Sequence, residues 1–338
     1  MKKISLFKAV PTGKELAAIK KVLDSGWWAM GPKVEEFEKT FAKKAGARYA
    51  VATNSCTAAL DIAVRVVKLP NPVRVSAFTF VSSALAPLNI GKKIEFVDVD
   101  PKTLCTPEAD IQVFYGGNES GKGIIYDMAH AAGVKHRGLV SCWSFHAVKN
   151  LPTGDGGMLT TNNKELYRRA RAISWCGIDK STYARSGSKY SWEYDIKEPG
   201  LKANMSDIIA AIGLCQLEKL DANNAYHKKV AGWYDKYLPE FIERRFKSST
   251  WIYYPIFVPY RNELIKYLAE NGVVTSVHFK PLYYYKIFNW HKKLPNTEFI
   301  YKRIISLPMH LKLTESDIRR VCDLIRKFYC QPAYNSFQ

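Results

Sequence analysis

Ser141-Cys142-Trp143-Ser144-Phe145-His146-Ala147-Val148-Lys149-Asn150-Leu151, then Pro152 and Thr153-Gly154-Asp155-Gly156-Gly157, is the stretch on which the fold turns. A short β-type run ends in a polar loop, and Lys149 stands just before a glycine cluster. Upstream, Asp127 closes another apolar run in Ile124-Ile125-Tyr126-Asp127-Met128-Ala129-His130. Both residues fall near the carboxyl ends of expected strands, where open α/β sheets bind their ligands.

Outward from that stretch, short apolar runs alternate with helical patterns. Strands are expected at 49–53, 73–77, 93–99, 111–114, 123–127, 139–145 and 157–161, and helices at 57–67 and 81–88. Such alternation predicts a largely parallel sheet with helices on both faces. The pattern is helical from 205 to 237, with Ile208, Ile209, Ile212, Leu214, Leu217 and Leu220 as a wide apolar surface. Beyond Pro239 the expected order is a strand (251–258), a helix (261–271) closed by Gly272, a strand (274–279) and a last helix (314–328). Thr314-Glu315-Ser316-Asp317 has the form of an N-terminal cap. The expected division is a large α/β domain over 1–238 and a small C-terminal α+β domain over 239–338.

At 338 residues the chain suits about two domains. With 47% hydrophobic and 24% charged residues it belongs with globular chains, not disordered ones. No apolar run approaches the roughly 20 residues of a membrane span, and the start lacks a signal-peptide core. Seven scattered cysteines without a C-x-x-C pair predict reduced thiols in a cytoplasmic setting, with no disulfide framework and no metal site. The net charge of +19 fits nucleic-acid binding or a surface that attracts small anions. The basic residues form no block and no nucleic-acid motif, so an enzyme with a phosphate-bearing substrate is expected, and neither nucleic acid nor membrane as partner.

A lysine and an aspartate at neighbouring strand ends meet the needs of pyridoxal phosphate: an amine to form the Schiff base and a carboxylate for the pyridinium nitrogen. Singly, each residue has a plainer reading. Most lysines are solvated, and an aspartate after a strand is often a loop residue or cap. Thr53-Asn54-Ser55-Cys56-Thr57 links a strand to a helix, which suits a phosphate site or a plain Ser/Thr cap. Ser144 lies close enough to Lys149 to serve the same phosphate, or is an ordinary strand-end serine. Phe80, in Ala77-Phe78-Thr79-Phe80-Val81, is a ring-stacking aromatic or a core residue. His130 lies beside the cofactor or is structural.

Read in order, the motifs agree. Thr53 to Leu60, Ala77 to Phe80, Asp127 to His130 and Ser144 to Asn150 are followed by Gly200-Leu201-Lys202-Ala203-Asn204-Met205-Ser206-Asp207 and by Ser306-Leu307-Pro308-Met309-His310. The series, over residues 5 to 328, resembles the DegT/DnrJ-type (StrS-like) nucleotide-sugar aminotransferases. That resemblance implies a pyridoxal phosphate-dependent transferase of fold type I, shaped like aspartate aminotransferase. It implies Lys149 as the Schiff-base lysine, Asp127 as the pyridinium partner and His130 beside the cofactor. It further implies Phe80 on the ring, and Ser55, Cys56, Thr57 and Ser144 around the phosphate. Lys202 matches a position that reaches the phosphate of the neighbouring subunit, which implies a homodimer with composite sites.

The implied reaction moves an amino group from glutamate to a keto sugar, of the 4-keto-6-deoxy kind, carried on a nucleotide diphosphate, in sugar or polysaccharide biosynthesis. The His146 and Asn150 flanks resemble members that aminate carbon 4. There are departures from the family pattern. Cys56 replaces a common glycine, Met128 a usual alanine, and the segment 110–123 looks shortened. Two other readings belong to the same resemblance: a sugar dehydratase, which would carry histidine in place of Lys149, and a non-catalytic regulatory relative.

Overall fold

The alternation of apolar runs and helices builds one mixed sheet of seven strands. The computed structural model describes residues 2–178, 183, 192–241 and 250–334. The sheet strands are β1 (Tyr49–Thr53), β2 (Val73–Ser76), β3 (Ile94–Val97), β4 (Ile111–Val113), β5 (Ile125–Asp127), β6 (Val140–Ser144) and β7 (Gly157–Thr161). They lie in the order β1-β7-β6-β5-β4-β2-β3. Strands β2 to β6 pair in parallel, and β7 runs antiparallel to both its neighbours, β1 and β6. Two more strands, β8 (Tyr254–Phe257) and β9 (Ile304–Leu307), form a separate antiparallel pair.

The helices are α1 (Glu15–Asp24), α2 (Pro32–Ala45), α3 (Cys56–Val66), α4 (Ser82–Asn89), α5 (Lys164–Ser174), α6 (Asp207–Tyr237), α7 (Arg261–Glu270), α8 (Pro295–Arg303) and α9 (Glu315–Tyr329). The pleat sorts side chains onto the two sheet faces. Val51, Ile125, Val140, Cys142 and Leu159 join the core under α3. Ala50, Ala52, Tyr126, Trp143 and Met158 join the core under α2 and α6. There Phe41 meets Trp143 and Phe145 edge-on, at centroid distances of 5.3 and 5.2 Å.

A third core lies around β8, β9, α7 and α9 and takes in Ile4, Phe78 and Tyr115 from the first half of the chain. Thr314 caps α9 as expected, in a reciprocal capping box with Asp317. The segment 274–279 is not the strand expected there. It makes one isolated bridge, Ser276 with Ser306. The connection between the parallel strands β4 and β5 is short. It is made by a 3-10 turn at Tyr115–Gly117 and a bridge between Glu108 and Lys122, where a crossover helix is usual.

Asp207 ties the two ends of this framework together. It opens α6, yet its buried carboxylate accepts from Gly31 N (2.9 Å), Val34 N (2.9 Å) and Lys33 N (3.0 Å) at the start of α2. A carboxylate there serves as cap and complements the helix dipole. Asp207→Ala is expected to cost about 3 kcal/mol, because three buried amides lose a charged acceptor. The apparent melting temperature of the cofactor-free protein should fall by roughly 5 °C, with Asp207→Asn in between. Unchanged melting of the alanine variant would refute the cap.

Candidate active site

Four strands deliver the candidate residues to one sheet end. Asp127 ends β5, Ser144 ends β6, Gly157 begins β7 and Thr53 ends β1. Gly157 pairs with Ser144 on one side and Thr53 on the other. The antiparallel turn between β6 and β7 therefore carries Lys149 on a closed loop. Phe145 N donates to Gly156 O, Thr153 N to Phe145 O and Lys149 N to His146 O, each at 2.8 Å.

Asp127 is almost fully buried. Ser83 Oγ donates to its Oδ2 at 2.6 Å, Ala129 N to its Oδ1 at 3.1 Å, and the Cys56 thiol lies 4.0 Å from Oδ1. Burial raises its pKa from the ordinary carboxylate value, against the pull of those donors and of Lys149. Lys149 shows the mirror effect. Burial lowers its amine to about 8, while Asp127 and then Cys56 act in the opposite sense. Burial also pushes the Cys56 thiol well up, and Asp127 adds to the effect.

The helix start at Cys56 abuts β7. A Cβ on Gly157 would lie 2.4 Å from Ser55 C and 2.5 Å from Cys56 N, so only glycine admits this approach. Ser55 Oγ accepts from Ala58 N at 3.1 Å and thus caps α3, the plainer of its two readings. The Cys56 and Thr57 amides have no protein acceptor among the described residues. The Thr57 hydroxyl pairs with Ser82 Oγ at 2.7 Å. Ser144 is buried, and its Oγ accepts from His146 N at 3.3 Å. First-turn amides, two hydroxyls and a glycine that leaves room beside them have the chemistry of a phosphate cradle.

His130 is buried and neutral, its pKa held well below the usual imidazole value by burial and then by Lys149. Its Nδ1 accepts from Gly116 N at 3.3 Å, so Nε2 carries the proton toward Tyr253 Oη at 3.0 Å. Both ring nitrogens are thus engaged by protein, and the ring lies parallel to Phe279 at 6.1 Å. Phe80 is more than half exposed at the end of β2 and touches Phe279 at 6.4 Å. Lys202 is exposed beside the Thr53 turn. Its Nζ donates to Asn204 Oδ1 at 2.9 Å and lies 3.6 Å from the Trp175 ring centroid.

Three residues at this site were not singled out in the sequence. His278, Phe279 and Tyr253 arrive from the C-terminal part, where Tyr253 stacks on His278 at 4.2 Å. His278 Nδ1 pairs with Ser306 Oγ at 2.9 Å. Burial, and after it Lys149, lowers His278 to about 3. Of the loop 175–192, residues 179–182 and 184–191 lie outside the described residues. In the loop 280–290, Phe288 and Trp290 pack on Phe96 while Ile287 is exposed. All seven cysteines are free thiols. No helix among the described residues is long and apolar enough to cross a membrane.

The model of the DegT/DnrJ/EryC1/StrS aminotransferase family matches residues 11–114 and 117–326. The spore coat polysaccharide biosynthesis protein SpsC of Bacillus subtilis is 34% identical, over 93% of this chain and 94% of that protein. The sugar aminotransferase CalS13 of Micromonospora echinospora superposes with a TM-score of 0.84 at 26% identity, over 96% of this chain and 99% of its own. Spr1654 of Streptococcus pneumoniae, solved in a PLP form, does so with a TM-score of 0.82 at 25% identity, over 96% and 98%.

The Lys149 amine is expected to titrate near pH 8 in the cofactor-free protein. At pH 7 it should then be unprotonated about 300-fold more often than an ordinary lysine. Competitive acetylation across pH, read by mass spectrometry, measures this directly. A midpoint above about 10 would show that the site does not desolvate the amine.

Proposed function

The chain belongs to the DegT/DnrJ/EryC1/StrS aminotransferase family of pyridoxal phosphate enzymes, and on that premise we propose that it aminates a nucleotide-diphosphate keto sugar with glutamate as donor. The acceptor class is a 4-keto-6-deoxy sugar. The observation that carries the reading is the convergence of Lys149, Asp127, Ser144 and the α3 start at one sheet end.

Bound pyridoxal phosphate supplies the electron sink for breaking the C–H bond beside the donor nitrogen. The Lys149 amine would hold the cofactor and, when free, would take up and return the proton of the donor's C–H bond. An amine held near pH 8 is suited to both tasks, since it gives and takes a proton near neutrality. Asp127 accepts from the ring N–H. Its pKa is raised by burial in the absence of that cation, and a pyridinium partner restores the charged form. The Cys56 and Thr57 amides and Ser144 hold the phosphate, with Ser55 shaping the helix start. Phe80 covers one ring face. The His130 nitrogens are held by Gly116 and Tyr253, so His130 contributes its position and ring surface, not a proton.

Lys202, released from Asn204 and Trp175, would reach the phosphate of a second copy, so on this reading the working unit is a homodimer. A dehydratase would have no use for a lysine at 149. A regulatory relative would have no need to keep Asp127 buried under three donors. The seven free cysteines support a cytoplasmic setting.

A panel of 4-keto nucleotide sugars, incubated with glutamate and followed by release of 2-oxoglutarate, tests the reaction. We expect turnover with at least one 4-keto sugar and none with Lys149→Ala; retained turnover by that variant removes Lys149 from the chemistry. Gly157→Ala should weaken pyridoxal phosphate binding by about tenfold or more, as its methyl displaces the α3 start. An absorbance titration reads the effect, and an unchanged Kd would place the phosphate elsewhere.

A further inference from the structure

Behind the Lys149 loop lies a cavity of about 20 Å³, with Phe7, Lys149, Asn150, His227 and His310 among its walls. Two of these residues each present a buried polar atom that lacks a hydrogen-bond partner: His227 Nδ1 and Asn150 Oδ1. His227 is 7% exposed and Asn150 5%. Both side chains also converge on the backbone of Thr250. Asn150 Nδ2 donates to Thr250 O at 2.7 Å, and the same backbone partly offsets the burial that lowers His227 to about 4. A polar cavity larger than about 10–15 Å³ holds one water, provided that at least two polar groups face it.

We infer that one ordered water fills this cavity, donating its two protons to His227 Nδ1 and Asn150 Oδ1, and that His227 is thereby a positioning residue for Lys149. The inference rests on the reading of Lys149 as the cofactor lysine. A neutral imidazole has one acceptor nitrogen, and with the proton on Nε2 that acceptor is His227 Nδ1. Asn150, the next residue after Lys149, is already held on its donor side. Its Nδ2 donates to Asn224 Oδ1 at 2.6 Å as well as to Thr250 O, and Asn224 Nδ2 donates to Ala132 O at 2.9 Å. Asn224 and His227 lie three residues apart on α6, so they share a face. The water completes the acceptor side of Asn150, and α6 then grips the Lys149 loop at both ends of one amide.

A crystal structure of the holoenzyme at atomic resolution should show a single density peak within hydrogen-bond distance of both atoms. A dry cavity, or Nδ1 turned onto a protein group, overturns the inference. Two variants test the consequence. His227→Asn keeps a polar atom near the place of Nδ1 and should leave the water, the cofactor's visible absorption and its pH midpoint as in wild type. His227→Leu removes the partner and fills the space. It should shift that midpoint, lower kcat more than it alters KM, and speed deuterium exchange at the 147–150 amides by at least about fivefold. Wild-type exchange and midpoint in the leucine variant would show that His227 does not position Lys149. Failure of the cofactor reading itself is distinguishable, because wild-type protein would then develop no cofactor absorption at all.

Discussion

The candidate site depends on a contest between desolvation and attraction at Asp127 and Lys149. The two groups sit close enough that each favours the other's charge, yet burial prevails at both. Asp127 shifts up and Lys149 shifts down to about 8. Solvated ion pairs behave in the opposite way, and salt would screen them. Here the low-dielectric setting makes the amine easy to deprotonate and leaves the carboxylate in need of a buried cation. A cofactor that brings a carbonyl for the amine and a protonatable ring nitrogen for the carboxylate answers both demands. Ser83, Ala129 and the Cys56 thiol keep the carboxylate in place until then. Cys56, a departure from the usual glycine, thus adds a weak donor to Asp127 while its amide stays at the helix start.

The C-terminal part of the chain closes this desolvated space. Tyr253, His278 and Phe279 come from beyond residue 250 and stack against one another and against His130. His278 and His130 both feel the charge of the half-buried Lys149, and the polar atoms of this ring cluster are tied back to protein by Ser306 and by His130. This aromatic wall is why the core around β8 and β9 reaches Phe78 and Tyr115 of the first half. Burial of the lysine is therefore a property of the whole chain and not of its loop.

Most of the sheet was legible because its strands are buried on both faces and read as apolar runs between turn residues. Cys56–Val66 and Ser82–Asn89 were found to within a residue of their ends, the first with Ser55 as its cap. The segment 274–279 misled because it is rich in β-branched and aromatic residues, while its only sheet-like partner is Ser306. Such composition favours extended backbone and does not report whether a neighbouring strand is present. β9 was missed because it follows α8 without any turn residue. At the site, Asp127 and Ser144 lie at strand ends and Lys149 on the loop that follows one, where local pattern marks a residue. His278 and Tyr253 lie in irregular backbone. Their approach to Lys149 is set by long-range packing, which no local spacing encodes.

One strand direction explains why the site is so closely knit. Had β7 run parallel to β6, the connection would have had to cross the sheet and return to its other end, usually through a helix. Lys149 would then ride on a long excursion away from the sheet end. Because β7 is antiparallel, residues 145–156 fold back as a loop closed by Phe145, Gly156 and Thr153. The same reversal puts the first residue of β7, Gly157, level with the last residues of β1 and β6. A residue without a side chain at that point lets the α3 start close up against the strand. The lysine loop, the Ser144 hydroxyl and the helix amides therefore meet at one place by topology. Asp127 joins them because β5 pairs in register with β6, where Asp127 faces Cys142. Reversing one strand brings Lys149 and the first-turn amides of α3 to the same sheet end, and the parallel neighbour β5 adds the Asp127 carboxylate.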